Sequence, residues 1–437
     1  MKGRSSVALG FLALIAVGAV ALSSPLARAH GTWGGFAEAF FTACSAVCVT
    51  GLTVVDVARE FSLTGQIILM VLVEVGCLGL MICGTFLLVA IGRRLSLAQE
   101  FSLMNAYGVP EIRGVRSLAI WMVCSMLICE GVGAGLLYYR FHDWYQSIFY
   151  SVMSFCNAGF SLHRGSLASF AGDPFSLLVM ALETILGGIG FLVIYNLCTF
   201  RFLRRPSGGR GRLALHSAVV LRMTGYLLVF TFAAFLLIEW HGVLENYGGA
   251  QKLWVAFYQS VTPRTCGFCV TPTEMLHPLM RHIYEILMFI GGAPGSAAAG
   301  IKVTTFAVLL YTIRAMCRGE EETVISHRLV PNEIVRESIV IVMALLTFAV
   351  IIMGALLVTE SKTGIRSDAL FFEAISAITT TGLSIGDTTA RLSPAGRVVV
   401  MVAMFIGRLG ALTVVLMIGD RESKRHLRYP SEELVVG

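Results

Sequence analysis

Phe41-Thr-Ala-Cys-Ser-Ala-Val-Cys-Val-Thr-Gly51-Leu52 lies between two long apolar stretches, and its outline recurs three times downstream. Phe149 leads to Gly159-Phe160, Phe257 to Gly267-Phe268 and Phe372 to Gly382-Leu383, each Phe ten residues before its Gly. A second pair of glycines follows each unit: Gly76 and Gly79, Gly187 and Gly190, Gly292 and Gly295, Gly407 and Gly410. Their offsets from the first Gly are 25 and 28 in units one, three and four, and 28 and 31 in unit two. A period of about 108 residues holding apolar stretch, short Gly-ended segment and apolar stretch is the plan of a pore with fourfold pseudo-symmetry.

Composition supports that plan. Only 14% of the 437 residues are charged and 56% are hydrophobic, with a mean hydropathy of +0.78. A soluble chain of this length needs a far more charged surface. Apolar runs able to cross about 30 Å of hydrocarbon recur along it, so the chain reads as an all-α polytopic membrane protein. Eight spans are expected at 7–28, 65–91, 116–139, 175–200, 222–240, 280–313, 336–358 and 394–419. Between the members of each pair, residues 35–50, 144–158, 252–266 and 367–381 are too short to cross and read as re-entrant half-helices. The expected organisation is unit one over 1–104, unit two over 105–213, unit three over 214–328 with an interrupted inner helix, unit four over 329–419, and a tail over 420–437. Lys2, Arg4, the apolar run from Val7 to Leu22 and Ala-Arg-Ala at 27–29 also fit a cleavable signal peptide. The repeat favours a retained helix, because the other three half-helices each follow an outer span.

Lys and Arg fix the orientation. The N-terminus, the loops 92–117, 201–222 and 314–336, and the tail carry 20 of them, the opposite side carries 10, and Arg264, Lys302 and Arg408 lie at membrane depth. The richer side is expected to be cytoplasmic, with both termini inside and the half-helices facing outward. The basic run Arg201–Arg212 reads as a topology determinant near anionic lipid rather than a nucleic-acid patch. The eleven cysteines form no zinc or disulfide framework and read as buried thiols.

A cation crosses hydrocarbon only where something replaces its hydration shell, and rings of backbone carbonyls do so without a fixed charge. The expected filter is Val49-Thr50-Gly51, Asn157-Ala158-Gly159, Thr265-Cys266-Gly267 and Thr380-Thr381-Gly382. Side chains differ among the four while Gly recurs, as carbonyl coordination requires. Gly291-Gly292-Ala293-Pro294-Gly295-Ser296, running on to Gly300 and Lys302, interrupts a segment longer than one span needs and suits a gate. Lys302 fits either a second barrier charge or a snorkelling side chain. Arg264 reads as bracing its filter backbone.

The segments Ser45–Asp56, Ser154–Ser161, Ser260–Phe268 and Glu373–Ser384 resemble the four filter segments of the Trk/Ktr/HKT cation-uptake superfamily. Phe289–Ser296 and Phe405-Ile-Gly-Arg-Leu-Gly410 are similar to its third and fourth inner helices. The likeness spans nearly the whole chain and is strongest to the Ktr-type membrane subunits. It implies potassium uptake at the plasma membrane, with sodium dependence left open. It also implies a homodimer with one pore per protomer and a cytosolic nucleotide-binding ring that carries any ATP or ADP. In that family Gly at all four filter positions goes with potassium selectivity, and Ser at the first with sodium permeation. The Arg matching Arg408 lies under the filter beside the third-unit loop. This chain departs from the pattern at Cys156, Cys266 and Ala411, and at Ala293, Ala297, Ala298 and Ala299, where the family has more hydroxyl and Gly residues.

The other readings are a less selective sodium/potassium channel or symporter of the same architecture, and an intramembrane enzyme. Glu74, Glu130, Glu183 and Glu285 stand singly at unmatched places, and no nucleophile–base pair or metal cluster is visible, so no enzyme is expected.

Overall fold

In the computed structural model the structure describes residues 2–79, 115–202, 214–410 and 413–414. Most of the loop 92–117, part of the basic loop 201–222, Ala411 and the tail 420–437 therefore lie outside the described residues. The chain is mostly helical. Four long outer helices cover Lys2–Ser23, Val115–Phe141, Leu215–Glu239 and Asn332–Thr359. Each is followed by a half-helix: Phe36–Val47, Trp144–Phe155, Gly249–Val261 and Ser367–Ile378. Inner helices then run over Leu63–Leu78, Pro174–Ile189, Pro278–Phe289 and Pro394–Leu409. A two-residue hairpin, Val324–Ile325 against Arg328–Leu329, turns through Ser326 and His327 at φ 52° and 61° within the loop 314–336.

The inner helices share a starting device. Ser62, Asp173, His277 and Ser393 each accept a hydrogen bond from a backbone amide of the first turn, and Pro begins the last three of these helices. These caps satisfy amides that a helix leaves orphaned, and Pro at the first position loses no hydrogen bond. In units one, two and four the proximity of half-helix to inner helix depends on the first glycine of the later pair, whereas Gly292 faces the Gly188 carbonyl. A Cβ on Gly76 would lie 2.3 Å from the Val47 carbonyl oxygen, one on Gly187 1.9 Å from that of Phe155, and one on Gly407 2.0 Å from that of Ile378. We therefore expect Gly187→Ala to destabilise the protein by several kcal/mol, because the obstacle is backbone and cannot swing away. Thermal unfolding in detergent measures this, and an unchanged midpoint would contradict it.

In units one, two and four the second glycine of the pair ends its helix, and in unit two the span departs from expectation. Gly79, Gly190 and Gly410 take φ of 78°, 85° and 84°. The stretch read as one span at 175–200 is two helices, Pro174–Ile189 and Phe191–Phe202, bent by 98° at Gly190. The expected interruption of 280–313 is present as well, with Pro278–Phe289 and Val303–Cys317 on either side of the 290–302 loop. Left-handed backbone at a Gly suits a chain reversal that other residues resist. Among the described residues, three unbroken helices are long and apolar enough to cross a membrane, at Ala119–Phe141, Leu215–Glu239 and Asn332–Thr359, and Val7–Ser23 is a shorter apolar helix.

Candidate ion-conduction site

Each half-helix closes with a reversal that turns the chain. Thr50 N–H bonds the Ser45 carbonyl at 2.8 Å and Val49 N–H that of Ala46 at 3.0 Å. The same pair of bonds recurs at Ala158 to Met153 with Asn157 to Ser154, and at Thr381 to Ser376 with Thr380 to Ala377. This is the Schellman pattern, whose turning residue is usually Gly. Here it is Val49, Asn157 and Thr380, at φ 55°, 57° and 49°. The third unit closes differently, with Cys266 N–H on the Thr262 carbonyl, but Thr265 still has φ 63°. Three of the four turning residues are β-branched, which makes the left-handed backbone strained.

Two residues on, Gly51, Gly159, Gly267 and Gly382 again have positive φ, between 69° and 91°. A Cβ on Gly51 would lie 2.3 Å from the Ala158 oxygen, and one on Gly159 3.2 Å from the Cys266 oxygen. On Gly267 it would lie 2.9 Å from the Thr381 oxygen, and on Gly382 1.9 Å from the Thr50 oxygen. Each glycine thus faces the carbonyl before the next glycine, and the fourth returns to the first. Eight of the twelve expected filter residues, the glycines and the residues before them, make this closed cycle, and Val49, Asn157, Thr265 and Thr380 form the turns that lead into it.

In units two and four the residue nine before the glycine braces the chain beyond it. Tyr150 shares a hydrogen bond with Ser161 at 2.9 Å, accepts one from Leu162 N–H and contacts His163 Nδ1 at 2.6 Å. Burial holds the His163 imidazole below its usual pKa, which favours the neutral ring beside the Tyr150 hydroxyl. Glu373 accepts from Ser384 at 2.8 Å and from Thr389. Ser161 and Ser384 both stand two residues past their glycine. Their shared offset was present in the sequence, but Tyr and Glu differ so much in type that the position went unread.

Beneath the cycle lies the 291–300 loop. It ties off the bent second inner helix: Ala293 N–H donates to the Gly188 carbonyl at 2.9 Å and Ala297 N–H to that of Gly187 at 3.3 Å, while Phe191 N–H donates to the Gly295 carbonyl at 3.1 Å. The carbonyls a helix end leaves unpaired are thereby satisfied from another unit. The loop also closes on itself, with Gly291 N–H on Ile301, Ile301 N–H on Phe289 and Val303 N–H on Gly292. A Cβ on Gly291 would lie 1.8 Å from the Ala299 oxygen. Ser296 donates to Ala293 at 2.6 Å, and Gly190 packs against the Pro294 carbonyl.

Arg408 donates to Ala297 at 2.6 Å and to the carbonyls of Gly76 and Cys77 at the end of the first inner helix. One guanidinium so joins units one, three and four. Lys302 turns back to donate to the Ala298 carbonyl of the same loop at 2.7 Å. Arg264 does not brace the filter backbone with its side chain. It is 7% exposed and reaches Thr224 of the outer helix at 3.3 Å. Of the two thiols, Cys156 lies 3.7 Å from Glu130 Oε1, and Cys266 lies 3.5 Å from Thr184 Oγ1.

Comparison with known proteins places this arrangement. The family model described as TrkH, cation transport protein, matches residues 19–426. The chain is 36% identical over 447 residues to the Ktr system potassium uptake protein B of Vibrio alginolyticus, covering 99% of this chain and 94% of that protein. It is 33% identical over 440 residues to the Bacillus subtilis protein of the same description, covering 99% and 96%. It is also 33% identical over 445 residues to the potassium/sodium uptake protein NtpJ of Enterococcus hirae, covering 99% and 96%. The crystal structure of the potassium transporter TrkH from Vibrio parahaemolyticus superposes with a TM-score of 0.75 at 18% identity, over 96% of this chain and 85% of that one, so the fold is shared. The chain belongs to the TrkH family of cation transport proteins, which are membrane transporters rather than enzymes.

Proposed function

We propose that this chain is the membrane subunit of a potassium-uptake system, carrying K+ through one pseudo-fourfold pore. The observation that carries the reading is the closed cycle in which Gly51, Gly159, Gly267 and Gly382 each face the carbonyl preceding the next glycine. Backbone carbonyls from Val49–Gly51, Asn157–Gly159, Thr265–Gly267 and Thr380–Gly382 replace the ion's hydration shell. The 291–300 loop is the gate, with Arg408 as its latch. The subunit works as a homodimer in the plasma membrane, termini cytoplasmic, beneath which a separate cytosolic ring binds the regulatory nucleotide. The description of its relatives as potassium uptake proteins supports the ion.

The test is growth rescue of a potassium-uptake-deficient bacterium at low potassium, with and without sodium and the cytosolic ring. Well-expressed protein that fails to rescue with the ring present would sink the reading. A less selective sodium/potassium pathway is the second reading, favoured by the likeness to a potassium/sodium uptake protein. Rescue lost at high sodium would select it.

Gly51→Ser separates the readings further. The new side chain would enter the space beside the Ala158 carbonyl, changing coordination at one position of the ring. We expect potassium-over-sodium preference to fall about tenfold, roughly 1.4 kcal/mol of lost discrimination. Competing Rb+ and Na+ uptake reads this, and unchanged ion ratios would remove Gly51 from the filter.

A further inference from the structure

Glu183 on the second inner helix and Glu130 on the second outer helix were read as isolated acids, and the fold brings them together. They are 4% and 5% exposed. Among the described residues neither forms a salt bridge. Both meet Ser151 of the half-helix Trp144–Phe155: its Oγ lies 2.7 Å from the Glu130 backbone oxygen and in hydrogen-bond contact with Glu183 Oε1. The second carboxyl oxygen of Glu183 has no partner at all.

The protons can be counted. A serine hydroxyl has one hydrogen, and neither a carbonyl nor an ionised carboxylate has any. Ser151 makes two oxygen–oxygen contacts, so its single hydrogen satisfies one and leaves the other short. The missing hydrogen belongs on Glu183, which then donates to Ser151 while Ser151 donates to the Glu130 carbonyl. The space admits nothing larger. A Cβ on Gly133 would lie 1.6 Å from Glu183 Oε1 and 2.8 Å from Ser151 Oγ, so the outer-helix backbone closes over the pair. A metal ion needs several oxygens held apart around it, whereas these oxygens touch one another. No group of three or more His, Cys, Asp or Glu suited to a metal occurs among the described residues.

We propose that Glu183 is a proton-binding site behind the second filter segment, and that its bound proton pins the half-helix Trp144–Phe155 between the outer and inner helices. The titratable groups facing this pocket are acids: Glu130 and Cys129 on the outer helix, Cys156 at the end of the half-helix, Glu74 and Cys77 on the first inner helix, and Tyr258 on the third half-helix. The nearby cation, Arg408, acts on Cys77 and is engaged by carbonyls. Loss of the proton therefore places an uncompensated charge inside the membrane, against the half-helix that leads into Asn157–Gly159. The site does not depend on which cation the pore carries.

Infrared difference spectra of the purified protein in lipid, wild type minus Glu183→Gln, test this at neutral pH. The expected result is a carboxylic-acid carbonyl band that shifts in D2O. Carboxylate bands in its place would overturn the proposal. Glu183→Gln imitates the protonated acid, so it should keep the wild-type Tm at neutral pH and abolish the Tm decrease that wild type shows as pH rises. A mutant that retains that decrease counts against the site. If Glu183→Gln does not fold, Ser151→Ala leaves Glu183 in place and should move the same acid band towards that of an unbonded carboxyl; an unmoved band overturns the proposal.

Discussion

Gly382→Ala should abolish uptake while leaving the protein inserted in the membrane. Two separate penalties meet at this residue. Its φ of 84° lies where a Cβ is unfavourable, which costs about 1–2 kcal/mol. The added carbon would also lie 1.9 Å from the Thr50 carbonyl oxygen and 2.9 Å from its carbon. That obstacle is backbone, and it is itself held by the bond from Thr50 N–H to Ser45. Displacing Thr50 moves one of the carbonyls proposed to coordinate the ion, and Gly267 faces the same oxygen at 3.4 Å. The damage thus spreads to a third segment. Gly364 provides the control: its φ is 70°, but a Cβ there would meet nothing within 4 Å. Gly364→Ala incurs the backbone penalty alone and should keep most uptake. Equal uptake by Gly382→Ala and wild type, measured with Rb+ in cells expressing both at the same level, would exclude the ring.

The half-helices were legible because their signal is repeated. Residues 35–50, 144–158, 252–266 and 367–381 became helices ending at Val47, Phe155, Val261 and Ile378. The difference at their ends has a cause. Val49, Asn157, Thr265 and Thr380 leave the helix through left-handed backbone, and Val and Thr give no sequence sign of that conformation. Strain of this kind is imposed by tertiary packing and not by local preference. The breaks in the inner helices were half visible. Pro294 and its neighbouring glycines marked the third, whereas Gly190 sits in an apolar run that scores as one continuous span. Its offset matched the other second glycines, yet apolar length outweighed that weaker cue. The partnership of Glu130 with Glu183 was not legible, since one sequence carries no sign that a serine on a third helix will join them.

Arg408→Ala should raise basal flux and uncouple it from the proposed cytosolic ring. The side chain now stands across the boundary between three units, donating to Ala297 of the loop and to Gly76 and Cys77 at a helix end. Hydrogen bonds from a charged donor contribute about 1.5–3 kcal/mol each, and the carbonyl end of a helix favours a cation. The contact with Ala297 acts on the loop proposed as the gate, because that residue also donates its amide to Gly187. Removing the guanidinium leaves the loop held by its remaining backbone bonds. If only the Ala297 contact distinguishes the closed loop from the open one, its loss shifts that equilibrium by roughly 10–100-fold towards open. Arg408→Lys keeps the charge but loses the fork that reaches two units at once, so its flux should fall between wild type and Ala. Rb+ flux into proteoliposomes lacking the ring measures the effect, with thermal unfolding alongside to separate gating from folding. Flux in Arg408→Ala at or below the wild-type level, in protein of unchanged Tm, would show that the arginine holds the units together without closing the pore.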